Sequence, residues 1–316
     1  MIRVSKSCLS LLEKKYINKV VKKQYLGMGP EVKKFEKELE NFFKRRVLCV
    51  NSGTAALHLS LQAYGIKKGD EILVPAITYV ATYQAITATG AKPVMCDTNI
   101  HDANISVKSI LKNINKKTKA IIPVHFSGHP CQLDEIYKIS KKHNLIVIED
   151  SAHAFGTYYK KKLLGSFGNL SCFSFDGIKN ITSGEGGCVV LNNEKIYKKI
   201  NDARLLGVLG DSEKRYHRKR SWKFNVKEQG WRYHMSDLNA AIGRAQLKRF
   251  SEMSKKRKLI CKSYDKYLSR FKNYFDLFKR NFESEVPHIY CILIKNLKKR
   301  EKLKKDLQKK KYSNRI

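Results

Sequence analysis

The chain has 316 residues, with 64 Lys plus Arg against 28 Asp plus Glu and a formal net charge of +36. Apolar residues at 42% and aromatics at 10% are enough for a buried core and exclude a disordered chain. The charge raises nucleic acid and anionic membranes as partners, but 49 of the 64 basic residues are Lys spread along the whole chain, and Lys lacks the bidentate fork that reads phosphates and bases.

The N-terminal apolar stretch, Cys8 to Leu12, is too short for a signal peptide, and no run approaches the ~20 apolar residues of a membrane helix. No basic run with interleaved aromatics resembles a nucleic-acid module. These features predict a cytoplasmic protein with no membrane and no nucleic-acid partner. The eight cysteines form no CxxC pair and mostly lie in apolar, strand-like runs, so buried free thiols are expected rather than a metal site or a disulfide framework.

From about residue 45 to 192 short apolar runs alternate with helical patterns, which predicts βαβ units and an α/β domain with a mostly parallel sheet. The expected strands are Val47–Val50, Ile72–Val74, Pro93–Cys96, Ile121–Val124, Leu145–Glu149, Ser171–Phe175 and Cys188–Leu191. Helices are expected at Ala55–Tyr64, Val80–Ala88 and Leu133–His143. After residue 245 the character changes: a Lys-studded amphipathic stretch (Leu247 to Phe271) precedes a strand-like His288–Ile294 and a basic helix at Lys298–Lys310. From 251 onward there are 21 basic and 7 acidic residues. This divides the chain into a large domain, 1–245, and an incomplete small α+β domain, 246–316.

Ligands of open α/β sheets sit at the carboxyl ends of strands. The first expected strand runs into Asn51-Ser52-Gly53-Thr54 at a helix start, which is either an anion site or an ordinary N-cap. A later strand ends in Asp150, an acid that either caps the next turn or pairs with a cationic heterocycle. The run Ser174-Phe175-Asp176-Gly177-Ile178-Lys179 leads to Gly184-Glu185-Gly186-Gly187. Lys179 is flanked by apolar and Gly-rich sequence, so it is either a desolvated amine of lowered pKa, able to act as a nucleophile, or a snorkelling surface lysine. A phosphate cradle, an acid for a ring nitrogen and a nucleophilic lysine form the set that pyridoxal phosphate (PLP) requires.

Here the sequence resembles the DegT/StrS-type PLP-dependent aminotransferases, which act mainly on nucleotide-linked keto-sugars and share the aspartate aminotransferase fold (fold type I). The matching stretches are Gly27–Pro30, Asn51–Leu57, Val74–Thr82, Pro123–His125, Glu149–Gly156, Ser174–Lys179 with Gly184–Gly187, and Gly230–Gly243. The resemblance implies that Lys179 holds the cofactor and carries the proton, that Asp150 pairs with the pyridinium nitrogen, and that Gly53, Thr54 and Ser174 bind the phosphate. It places Tyr79 where an aromatic ring stacks on the cofactor and His153 beside the phenolic oxygen. It further implies a homodimer with shared active sites, glutamate as amino donor and a nucleotide-sugar acceptor. Arg232 stands where the family most often has an Asn that reaches the partner subunit's phosphate, and Arg can make that contact bidentately. The family's small domain continues past the helix at 298–310 with a further segment near the active site, so a partial C-terminal domain is expected.

Overall fold

The computed structural model describes residues 6–217 and 224–310. Residues 312–316, where the resemblance leads to an expected further segment, lie outside them. The strands are β1 (Arg46–Val50), β2 (Glu71–Pro75), β3 (Lys92–Cys96), β4 (Thr118–Ile121), β5 (Ile146–Asp150), the short β6 (Tyr158–Tyr159) and β7 (Lys162–Leu163), β8 (Leu170–Ser174), β9 (Gly187–Leu191), β10 (Phe275–Leu277) and β11 (Ile292–Ile294). The helices are α1 (Leu11–Lys22), α2 (Pro30–Phe43), α3 (Gly53–Ala63), α4 (Val80–Thr87), α5 (Val107–Asn113), α6 (Leu133–His143), α7 (Glu194–Ala203), α8 (Asp211–Tyr216), α9 (Asp237–Leu268) and α10 (Leu297–Lys309).

Seven strands form one sheet in the order β1-β9-β8-β5-β4-β2-β3. β8, β5, β4, β2 and β3 run parallel, whereas β9 is antiparallel to both of its neighbours, β1 and β8. All seven strands expected from the sequence are present, because an apolar run bounded by turn residues is the pattern of a strand buried on both faces. Successive residues serve opposite faces. Leu48, Val50, Ile72, Val74 and Ile148 pack with α3 and α7 on one side. On the other side Val47, Cys49, Phe173 and Val190 pack with α2 and α9, and Leu73, Ile121 and Val147 pack with α6. Seven of the eight thiols are fully or partly buried and none forms a disulfide.

Three departures from the sequence reading have local causes. The fourth strand ends at Ile121 rather than Val124, because Pro123 has no N–H for the ladder, and only a single bridge, Val124 to Asp150, follows. The amphipathic C-terminal helix begins at Asp237, ten residues before the expected Leu247, and runs unbroken across residue 245. Ser236 caps it by accepting from the Asn239 N–H at 3.1 Å, and small residues there (Ala240, Ala241, Gly243, Ala245) are buried. Finally, the expected strand at 288–294 is reduced to β11 and pairs antiparallel with β10. A three-residue strand is too short to show a period, and the polar groups of 288 and 289 bond elsewhere.

α1 and α2 both pack on α9, and the buried carboxylate of Asp237 accepts from the N–H groups of Gly29, Glu31 and Val32 at 2.9–3.1 Å, capping α2 from a distant part of the chain. A buried cation fastens the edge of the sheet. Arg204, fully buried, donates to Glu36 Oε1 (2.5 Å) and the Cys49 carbonyl (2.7 Å), while Tyr216 Oη donates to Glu36 Oε2 (2.5 Å). Burial opposes the charge on Arg204, but Glu36 and Tyr216 outweigh it and push the guanidinium above its ordinary value. Among the described residues no helix is long and apolar enough to cross a membrane. Removing one partner of such a pair leaves an uncompensated buried charge, so Glu36→Ala should cost about 3–5 kcal/mol in urea unfolding; a loss below about 1 kcal/mol would contradict this account.

Candidate active site

The site begins where β1 turns into α3. Ser52, extended at φ −163°, accepts from the Ala55 N–H at 3.0 Å and so is the N-cap. The first N–H groups of the helix, those of Gly53 and Thr54, have no intrahelical acceptor, and the helix dipole adds partial positive charge. The turn is therefore a cap, and its next two amides are left with the free N–H groups that an anion site requires. Its other wall is the end of β8: a Cβ built on Gly53 would lie 2.9 Å from Ser174 Cβ and 3.3 Å from Ser174 Oγ. Glycine at 53 lets the helix start approach the Ser174 hydroxyl.

Asp150 ends β5, next to β8 in the sheet, and is 5% exposed. Thr82 Oγ1 donates to its Oδ2 at 2.8 Å and the Ala152 N–H to its Oδ1 at 3.1 Å. Thr78 Oγ1 lies 2.8 Å from Thr82 Oγ1, so the two hydroxyls, one α4 turn apart, relay a single orientation onto the acid. Burial pushes the Asp150 carboxyl above the ordinary range, and the Thr82 bond, the Ala152 N–H and the Lys179 charge offset part of that rise. Behind it stands a second buried pair: His125 Nδ1 accepts from the Cys131 N–H (3.1 Å), which leaves Nε2–H to donate to Glu149 (3.0 Å).

Lys179 lies in the loop after β8, half-buried, with its N–H donating to the Asp176 carbonyl at 3.1 Å. Burial pulls its pKa below the ordinary lysine value, against the raising influence of the Asp150 and Asp176 charges. His153 accepts on Nδ1 from the Ser127 N–H at 3.2 Å. Burial first and the Lys179 charge second push its pKa down to about 3, so it is a neutral ring with the proton on Nε2.

Gly53 thus stands against Ser174, with Thr54 next to it in the chain, and the Lys179 charge acts on both Asp150 and His153. Tyr79 is the N-cap residue of α4, three residues before Thr82, and is 72% exposed. The exposed Arg232 is held beside the anion turn by its backbone: Asn51 Nδ2 donates to its carbonyl at 3.4 Å and the Asn51 N–H to that of Tyr233 at 2.7 Å. Among the described residues no hydrogen bond or ring contact joins the Tyr79 or Arg232 side chain to the other predicted residues.

Sequence reasoning did not single out Thr82, Ser127, Arg257 or His288. Arg257, on α9, donates to the carbonyls of His288 (3.1 Å) and Lys179 (3.3 Å), and the His288 ring lies 4.4 Å from that of His153. Only Thr82 carried a local signal, the i, i+4 hydroxyl pair with Thr78. The others meet partners remote in the chain: 26 residues separate Ser127 from His153 and 78 separate Arg257 from Lys179.

A cradle that a side chain at 53 would fill, free amides at a helix start, a buried acid at a strand end and a half-buried amine fit a ligand with a phosphate, a protonatable ring nitrogen and a carbonyl. The family model for the DegT/DnrJ/EryC1/StrS aminotransferase family matches residues 8–316. A GDP-perosamine synthase of Escherichia coli is 37% identical over 320 residues, covering 97% of this chain and 81% of that protein. Among solved structures, PseC of Helicobacter pylori, an aminotransferase involved in pseudoaminic acid biosynthesis, superposes with a TM-score of 0.86 at 30% identity, covering 97% of this chain and 82% of that one. Spr1654 of Streptococcus pneumoniae in its PLP form gives a TM-score of 0.89 at 28% identity over 97% of this chain and 82% of that one. The chain belongs to the DegT/DnrJ/EryC1/StrS aminotransferase family, and its enzyme class is that of the PLP-dependent transaminases.

Proposed function

We propose that the protein moves an amino group from glutamate to the keto carbon of a nucleotide-linked sugar in the cytoplasm, giving an amino sugar for surface polysaccharide or glycan biosynthesis. The observation that carries this reading is the placement of a buried acid and a half-buried lysine at the ends of the adjacent strands β5 and β8, each acting on the other's charge. The similarity to a GDP-perosamine synthase supports a nucleotide sugar as acceptor.

When bound, PLP supplies an electron-accepting ring that takes up the charge left when a C–H bond next to nitrogen breaks. The Gly53 and Thr54 amides and the Ser174 hydroxyl hold the phosphate, where the helix dipole favours an anion. Asp150, its two oxygens aimed by Thr82 and Ala152, keeps a lone pair on each for a ring N–H and stabilises positive charge there. His153 donates its Nε2–H to the phenolic oxygen. Tyr79 covers one ring face, and a homodimer places Arg232 against the phosphate of the second subunit's site. Lys179 would hold the cofactor carbonyl through Nζ and, once the donor's amino group displaces it there, its freed Nζ would take up and return the migrating proton, a task suited to an amine whose burial lowers its pKa.

Wild-type protein given PLP should develop visible absorption that changes on adding glutamate; Lys179→Ala should lose both responses, with turnover falling about 100- to 10,000-fold. A colourless wild type, or a coloured and active Lys179→Ala, would sink the assignment. Gly53→Ala inserts a methyl into the space of Ser174 and should weaken PLP binding about 10- to 100-fold in an absorbance titration, the worth of a charged hydrogen bond. The Asp176 charge raises the Lys179 pKa, so its removal lowers it. Asp176→Asn keeps the oxygen that accepts from Ile178 and should move the Lys179-dependent rise of kcat/KM to lower pH; an upward move would show that Asp176 does not act on the lysine.

A further inference from the structure

The segment between β10 and β11 reaches the site from the far end of the chain, and its contacts converge on Ser127. That residue follows Phe126 in the loop after β4 and sits at φ 62°, ψ 9°, the left-handed region that a non-glycine residue occupies only when its surroundings hold it there. Three groups hold it. The His288 N–H donates to its carbonyl at 3.1 Å. Arg280 Nη1 donates to the same carbonyl at 3.3 Å, and Arg280 Nη2 bonds to its hydroxyl. The hydroxyl in turn donates to the Ile289 carbonyl at 2.7 Å. In this conformation the Ser127 N–H points at His153 Nδ1.

His288 makes a second, direct contact. Its ring, 8% exposed, lies 4.4 Å from the His153 ring at an interplanar angle of 37°, and its Nδ1 is buried without a hydrogen-bond partner. Arg257 bonds to the carbonyls of both His288 and Lys179, so the histidine and the lysine loop are tied to one guanidinium on α9. A polar ring left unsatisfied in a buried position is costly, and here it is kept as the packing surface of the other imidazole.

We propose that His288 is a positioning residue for His153: its ring, packed on the His153 ring, keeps Nδ1 of His153 aimed at the Ser127 N–H, and its backbone holds Ser127 in the left-handed turn that presents this N–H, so that the His153 proton stays on Nε2, the nitrogen that donates toward the bound cofactor. The role toward the cofactor rests on the function proposed above, whereas the orientation of His153 does not. Burial and the cations around His288, with His153, Lys179 and Arg257 facing it, push its own pKa well below the ordinary histidine value, consistent with two neutral rings in contact.

The test uses the full-length protein labelled with ¹⁵N-histidine, the His153 signals being identified by their loss in His153→Asn. Without PLP, wild type should show a pure Nε2–H tautomer at His153. His288→Ala should show a tautomer mixture there and about tenfold weaker PLP binding, with far-UV dichroism unchanged. His288→Phe, which restores a ring but no nitrogen, should recover both the tautomer and the affinity. An unaltered His153 tautomer in His288→Ala overturns the proposal, as does a His288→Phe that behaves like His288→Ala. If the tautomer changes in His288→Ala while wild type binds no PLP, the positioning role stands and the cofactor assignment falls.

Discussion

The site depends on one steric constraint, the passage of β9 between β1 and β8 with no side chain at its first residue. Gly187 pairs with Val50 on one side and Ser174 on the other, and a Cβ there would lie 2.6 Å from the Phe173 carbonyl oxygen and 2.7 Å from the backbone of Ser52. A larger residue would force the two flanking strand ends apart. The register then brings the Ser52–Thr54 turn against Ser174, and the glycine at 53 closes the remaining distance. Two missing side chains thus create the cradle between the β1–α3 turn and Ser174. The antiparallel strand is what lets β1, early in the chain, end beside β8, more than 100 residues later.

Once the cradle is placed, the parallel strands set the rest. β5 neighbours β8, so Asp150 stands at an adjacent strand end, and α4 returns from β2 with Thr82 over it. The interior strengthens charge interactions, so an acid and an amine there tune each other in a way that exposed pairs do not. Most of the 49 lysines are solvated and outside this exchange. A net positive surface raises the local concentration of anions, so the +36 charge bears on encounter rather than on chemistry.

The sheet was legible because strands buried on both faces read as short apolar runs between turn residues. The anion turn, Asp150 and Lys179 were legible because each departs from its surroundings: a hydroxyl-rich turn after an apolar strand, an acid at an apolar strand's end, a lysine without charged neighbours. The support behind them was not. Arg257 lies on a helix crowded with basic residues, where nothing separates it from Lys255, Lys256 or Lys258; only the fold shows that it donates to the Lys179 carbonyl. Ser127 has an ordinary sequence context, and its left-handed conformation is imposed by residues 280–289. The start of α9 was missed because its buried face is built from alanine and glycine, whose close packing on Phe35 of α2 depends on tertiary contact rather than on an apolar stripe.

Holding and freedom are divided within Lys179 itself. Its backbone is pinned from both sides, the N–H by the Asp176 carbonyl and the carbonyl by Arg257, and the next residue is fastened by Asn180 Nδ2 to the carbonyls of Phe155 and Val286 at 3.3 Å. Among the described residues Nζ has no hydrogen-bond partner. The role proposed for Lys179, binding a carbonyl and later relaying a proton, requires a group aimed by its backbone and left movable at its tip. A salt bridge at Nζ would fix the tip and keep the amine charged; here Asp150 and Asp176 act on it only through space, and burial keeps their influence from prevailing. The C-terminal segment thus fastens the Lys179 loop through Arg257 and Val286 and leaves the amine without a hydrogen-bond partner among the described residues.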